Sequence, residues 1–363
     1  MNSSELKQAI HENPYDEDNW LTLSDYLRNS EDIRGELISL ELSGGSDRIN
    51  EIYEKNIPIW CGEELHTMIT ESTEDEDSEL KIEWKYGYIW SVRLHSYYDY
   101  SGPNMVELLE AIIQSPAGEF LTELKVGILD AEENDYSDVV ELMKKHSLPS
   151  LKHLHLGDFE YPDDNEISWN MVNNISPVWK AAPNLEKLRL TGAEISLGTI
   201  SHRHLRSLSL ETGGLPAEAI HSVMAADLPE LTDLEMWFGD EGYGAEGDIT
   251  MIKPLLAGGL FPKLNSLGLM NSEFQDEIVE ALATAPVVKN LRALDISMGT
   301  MVDKGAQFLI DSYDHFKHLE SINLSDNFVS QELCSKLSGL YGSIIDLSNQ
   351  SDDLDYIYVS VSE

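Results

Sequence analysis

Basic residues are scarce in this chain. Its 24 Lys and Arg stand against 66 Asp and Glu, giving a formal net charge of −42 and an isoelectric point near 4.3. Phosphates would be repelled by such a surface, which excludes nucleic acid and anionic membranes and favours a basic protein as partner. Cysteine is nearly absent. The two that occur, Cys61 and Cys334, form neither a disulfide framework nor a metal-ligand spacing. Reduced thiols in a cytoplasmic protein are the expectation. No apolar run approaches a membrane span, and the opening Met-Asn-Ser-Ser-Glu-Leu-Lys has no apolar stretch of a secretory leader.

Catalytic signatures are missing as well. No P-loop, Gly-x-Ser-x-Gly elbow, zincin helix or dinucleotide fingerprint occurs. The run Gly239 to Asp248 mixes glycine with carboxylates but not in EF-hand order, which leaves at most weak calcium binding. His153 and His155 share one strand face and have no third metal ligand beside them. Asp25, Arg34 and Glu36 read as a structural ion pair and helix contacts rather than an active site. Neither enzyme activity, cofactor nor metal is expected.

What is present is a phrase, apolar-x-x-apolar-x-apolar. It starts at Leu151, Leu185, Leu205, Leu231, Leu264, Leu291 and Leu319, with weaker copies at Ile89, Leu121 and Gly342. The mean step of about 28 residues signals stacked repeats. Each phrase reads as a short strand with its apolar residues inward. Helical patterns follow at 105–113, 139–145, 217–224, 249–256, 277–283 and 305–312. The step from Leu185 to Leu205 is too short for a full helix. The expected class is α/β, a horseshoe-shaped solenoid of about ten strand-helix repeats over residues 86–349.

Residues 1–65 read as a small helical domain. Asn2 caps a first helix that stops at Asn13-Pro14, and Asp16 caps a second with Trp20, Leu23 and Leu27 on one face. A third, from Glu31 to Leu42, turns Ile33, Leu37 and Leu40 inward, and a fourth over 47–56 ends before Pro58. Within 66–85 the acidic run Glu71 to Glu79 reads as a solvated linker. Residues 350–363, closing on Tyr-Ile-Tyr-Val-Ser-Val-Ser-Glu, read as a last strand that covers the array's C-terminal edge.

The repeated phrase resembles the leucine-rich repeat, in the longer strand-plus-helix form of ribonuclease-inhibitor-like proteins. The usual Asn of the strand-end turn is mostly missing, with Ser325-Asp326-Asn327 the nearest approach. The first segment resembles the bacterial repeat-companion domain through Asn13-Pro14, Asp16, Leu23-Ser24-Asp25-Tyr26-Leu27, Arg34-Gly35-Glu36-Leu37-Ile38 and Leu40-Glu41. That resemblance implies a bacterial source and no known chemistry.

Strand alternation then fixes a column of outward residues: Arg93, Lys125, His155, Arg189, Ser209, Glu235, Gly268, Asp295, Asn323 and Asp346. It is basic in its first half and acidic in its second. The column reads either as a polarised groove that orients a partner or as cations neutralised by nearby carboxylates. The loops leaving the strands carry Tyr97, Tyr98, Tyr100, Tyr136, Phe159, Tyr161, Trp169, Trp237, Phe238 and Tyr243, interleaved with carboxylates that include Glu132 and Glu133. Met270 stands where Trp237 stands one repeat earlier. Such a rim offers contact area at small entropic cost, although any one aromatic can instead pin its own loop. The expected function is a non-enzymatic protein–protein interaction module, an inhibitor or immunity-type protein presenting carboxylates to a basic protein. The alternative is a two-domain adaptor whose helical domain docks a second protein.

Overall fold

The computed structural model describes residues 3–45, 47–130 and 134–363, apart from the side chain of Ser3. The expected cap Asn2 and the rim carboxylates Glu132 and Glu133 lie outside the described residues. The chain divides into two compact units. The first runs to Phe159 and includes Pro177–Glu186; the second is Glu160–Ser176 with Lys187–Glu363.

The first unit opens with helices α1 (Ser3–Glu12), α2 (Glu17–Asn29), α3 (Arg34–Leu42) and α4 (Asp47–Glu74). The Asp16 carboxylate accepts from the Asp18 amide at 3.0 Å and starts α2, which buries Trp20, Leu23, Ser24 and Leu27. Gly35 lets α3 touch α2: a Cβ there would lie 2.6 Å from the Ser24 carbonyl oxygen. Because Gly35 faces α2, Ile38 follows it inward three residues on, and Leu37 joins it, while Ile33 and Leu40 are only half-buried. The expected face was thus rotated. α4 also departs from expectation, running through Pro58 to Glu74 with a break at Gly62, where φ is 76° and ψ is 167°. The acidic run is therefore not free of the fold. Ser72 is buried with its hydroxyl 3.0 Å from the Tyr100 hydroxyl, and Asp75 accepts from the backbone and side chain of Ser101 at 3.1 Å.

A hairpin follows that the repeat pattern does not contain. Strands Lys81–Lys85 and Tyr88–Leu94 pair antiparallel, with Lys85 opposite Tyr88. The two turn residues, Tyr86 and Gly87, both have positive φ (57° and 80°), as a two-residue turn matched to strand twist requires. Trp20 packs against Tyr86, Tyr88 and Phe120, with ring centroids 4.6, 6.0 and 5.1 Å away. Leu6, Ile10, Leu23, Leu27 and Ile38 complete this cluster, so the helices and the first strands share one core. From Tyr88–Leu94 the sheet continues parallel through Glu123–Val126 and His153–Leu156, with helices Met105–Gln114 and Ser137–Lys145 between.

The second unit carries parallel strands Lys187–Thr191, Ser207–Glu211, Asp233–Gly239, Ser266–Ser272, Ala293–Asp295, Ser321–Asn323 and Ile345–Asp346 in sequence order. Every apolar residue of the seven strong phrases is buried, at most 4% exposed. That ladder is what the Leu period encodes. Helices follow at Ala217–Met224, Lys253–Leu256, Gln275–Leu282, Asp303–Asp311 and Gln331–Tyr341. As the short step requires, no helix separates Lys187–Thr191 from Ser207–Glu211; Ile195, Leu197 and Ile200 fill the space from loops.

The closing segment corrects another expectation. It forms no strand. Instead residues 351–363 run back along the loops at the strand ends. The Ser351 amide donates to the Asn327 carbonyl at 2.8 Å, and the Ser360 amide to the Met298 carbonyl at 2.9 Å. The Val361 amide donates to Asn271 Oδ1 at 2.9 Å, and the Ile167 amide donates to the Glu363 carbonyl at 3.2 Å. Tyr and Val alternate in this segment, which suits an extended chain, but the backbone partners are loop and side-chain groups of earlier repeats rather than a neighbouring strand.

Candidate functional site

The column of outward residues is in register within each unit. Arg93, Lys125 and His155 stand side by side in the first; Arg189, Ser209, Glu235, Gly268, Asp295, Asn323 and Asp346 do so in the second. The two halves differ in how their charge is met.

In the first unit every basic member has a partner. Arg93 donates to Asp158 Oδ2 at 2.5 Å, to Glu79 Oε2 at 2.6 Å and to the Asp158 carbonyl at 3.0 Å. His155 Nδ1 lies 3.0 Å from Asp158, and Lys125 Nζ lies 2.8 Å from Glu123. Burial works against an ionised Asp158, yet its bonds to His155 and Arg93 hold the carboxyl far below the usual carboxylate range. Arg189, in the second unit, forks onto Glu211 at 2.6 and 2.8 Å; Glu211 is only 4% exposed and also accepts from Thr191 and Ser209. Arg93, Lys125 and Arg189 are therefore neutralised where they stand, and His155 is held against Asp158.

The acidic half is different. Ser207, Ser209 and Ser266 are small, Gly268 has no side chain, and the sheet surface here forms a hollow of about 420 Å³. Asp233, Glu235 and Asp295 border it, with Lys187 at one end. Burial pushes the Glu235 carboxyl up and the neighbouring Glu211 and Asp295 charges push it further; the Trp237 indole N–H, donating at 2.8 Å, and the Arg189 charge offset only part. Asp295 has spent its oxygens on Ser297 and Asn323. Glu235 is thus a crowded carboxylate whose environment would be relieved by an incoming cation.

The rim aromatics sort by exposure. Tyr136 and Phe238 are at most 1% exposed and Met270 is 8% exposed. Tyr136 bonds Asn134, and Phe238 stacks edge-on to Phe274 at 5.0 Å, so both pin loops to the core. Tyr100 holds its own loop through the Pro103 carbonyl at 2.7 Å. Phe159, Tyr161 and Trp237 are half-buried. Tyr97, Tyr98, Trp169 and Tyr243 are exposed, and Tyr98, at 72%, is the most open of them. Sequence reading missed Leu354, Tyr356, Ile357 and Tyr358, which lie outward on the closing segment at 59%, 72%, 42% and 66%. For Leu354, Tyr356 and Tyr358 the signal was the alternation with Val359 and Val361, which are buried; Ile357 is in phase with those valines and is exposed all the same.

Asp240 and Asp248 use oxygens on the turns at Gly242 and Thr250. Among the described residues no group of three metal-ligating side chains converges, and no helix is long and apolar enough to cross a membrane. Cys61 and Cys334 are free thiols, and burial raises the Cys61 thiol to about 11.

Parallel strands recurring with the Leu phrase, each followed by a turn and in most repeats a helix, give this chain a leucine-rich-repeat fold of mixed α/β class with a helical N-terminal region. It is similar to a Bacteroides fragilis protein solved by a structural genomics consortium, at 29% identity and a TM-score of 0.63 over 74% of this chain and 77% of that one. It also matches an internalin from Listeria monocytogenes (15% identity, TM-score 0.32, 68% of this chain and 70% of that one) and a leucine-rich-repeat protein of Leptospira interrogans (15%, 0.28, 72% and 73%). These two superpose too loosely to add to the fold. No family model matches the chain, and no curated protein does.

Proposed function

We propose that this protein is a non-enzymatic cytoplasmic binding module that captures a basic protein partner on the open sheet face of its second unit, in the manner of an inhibitor or immunity-type protein. The hollow over Gly268 carries the reading. Its floor is bare, Asp233, Glu235 and Asp295 border it against the cation Lys187, and Glu235 there is crowded by Glu211 and Asp295. A Lys or Arg side chain of the partner would enter the hollow and relieve that crowding. The scaffold suits this role, since stacked repeats present extended surfaces for proteins. The adaptor reading gains no support, because α1 and α2 are built into the core of the first strands through Trp20.

The test is capture at low salt by the parent and by a Glu235→Gln/Asp295→Asn double variant, read by mass spectrometry. A basic protein held by the parent and lost by the folded variant supports the reading. A partner held equally by both sinks it.

A further inference from the structure

The segment 351–363 lies in a groove of the second unit that is made for an extended backbone. Asn271, itself fully buried with φ of 52°, bonds Val361 at two points: its Nδ2 donates to the Val361 carbonyl at 2.5 Å and its Oδ1 accepts from the Val361 amide at 2.9 Å. A side-chain amide used this way reads backbone, not sequence. Gly213 lies directly beneath the Ser362 carbonyl, where any Cβ would collide at 2.0 Å. Val359 and Val361 point in and are 2% and 5% exposed, while Tyr356 and Tyr358 point out.

The hold is sequence-tolerant, and it is poor at one end. Glu363 bonds Tyr243; burial pushes the Tyr243 hydroxyl up first, and that bond with the charges of Glu363, Asp240 and Glu166 pushes it further. The Ile167 amide holds the Glu363 carbonyl at 3.2 Å and the Tyr243 amide donates to the Asp240 carbonyl at 3.0 Å, so Glu363 lies beside Tyr243 with Glu166 and Asp240 as its acidic neighbours, in a chain already strongly acidic. The strap carries the wrong charge for its own groove at that position.

We infer that this groove is a binding site for an extended segment of a partner protein with the pattern aliphatic-x-aliphatic-x-Lys/Arg, and that residues 359–363 are its displaceable internal occupant. The aliphatic pair replaces Val359 and Val361, the backbone bonds to Asn271 are kept, and the cation replaces Glu363 among Glu166, Asp240 and Tyr243. The groove is separate from the hollow over Gly268, so its test leaves the proposed function standing or falling by itself.

The test uses the full chain and two synthetic peptides, Tyr-Ile-Tyr-Val-Ser-Val-Ser-Glu and the same peptide ending in Lys, with hydrogen exchange of the 359–363 amides as readout. The Lys peptide is expected to accelerate exchange of these amides, while the strands stay protected, at roughly ten-fold lower concentration than the Glu peptide, with the gap closing at high salt. An Asn271→Leu variant should lose both the protection of Val361 and the response. A Val361→Asp variant, which loosens the strap and keeps Asn271, should bind the Lys peptide more tightly than the parent does. No acceleration by millimolar Lys peptide on the parent overturns the inference whether or not the variants fold. Equal displacement by the two peptides overturns it as well, and would make the groove a site for the strap of another copy.

Discussion

Asp158 and Glu235 show one functional group, the carboxyl, answering two opposite environments. Asp158 is held ionised by Arg93 and His155. Its folded pKa lies below the unfolded value, so its stabilisation is present above the ordinary carboxylate range and fades as pH falls through the folded pKa. Asp158→Asn should cost about 1–3 kcal/mol at neutral pH, a penalty that shrinks in strong acid, as denaturant titrations across pH would show. Glu235 has the reverse sign. Its folded pKa is raised, so folding loses stability as pH rises from the unfolded value through the folded one. Glu235→Gln should raise the Tm at neutral pH, with no gain once pH lies below the ordinary carboxylate range, and should weaken capture of a basic partner. A residue kept at a cost to folding is what a binding role predicts. The column itself was legible residue by residue, since alternation alone gives it. Neutralisation of its cations was one of two readings, and the choice between them was not legible, because Arg93 meets Asp158 from 65 positions away.

At the scale of elements, the helical segment behaves as part of the first unit's core. Lys7 pairs with Glu119 at 2.7 Å, and Lys152 donates to the Glu12 carbonyl at 2.7 Å, so α1 is tied to the repeats by polar contacts as well as by Trp20. Trp20→Ala should cost about 3–5 kcal/mol. Deleting residues 1–65 should expose Tyr88 and Phe120 and give insoluble protein; a soluble, folded remainder would restore the adaptor reading. The strands were readable because a Leu phrase repeated many times averages out local ambiguity. α3 was misread by a fraction of a turn because the periodicity of Ile33, Leu37 and Leu40 says nothing of the close approach at Gly35. The hairpin was missed because Tyr86-Gly87 is not among the familiar turn pairs, and its first strand fell in the linker over 66–85 while its second fell in the repeat. The closing segment has the alternation of a strand, and only long-range contacts decide what it lies against.

For the molecule as a whole, charge governs encounter. With a net charge of −42, association with a basic partner should slow roughly ten-fold or more between low and high salt, measured by stopped flow. A rate independent of salt would remove electrostatic steering from the proposed function.

The antiparallel strand Lys81–Lys85 also bears on how such an array can change over generations. A parallel repeat extends its sheet by offering the next repeat an edge of the same direction. Here the first edge is closed by a strand running the other way, with Lys81, Glu83 and Lys85 along it. A duplicated repeat placed ahead of it would not meet the parallel edge on which the other repeats stack. Lengthening of the array by gene duplication is therefore expected downstream of Leu94, leaving the first strand and its helices as a fixed beginning.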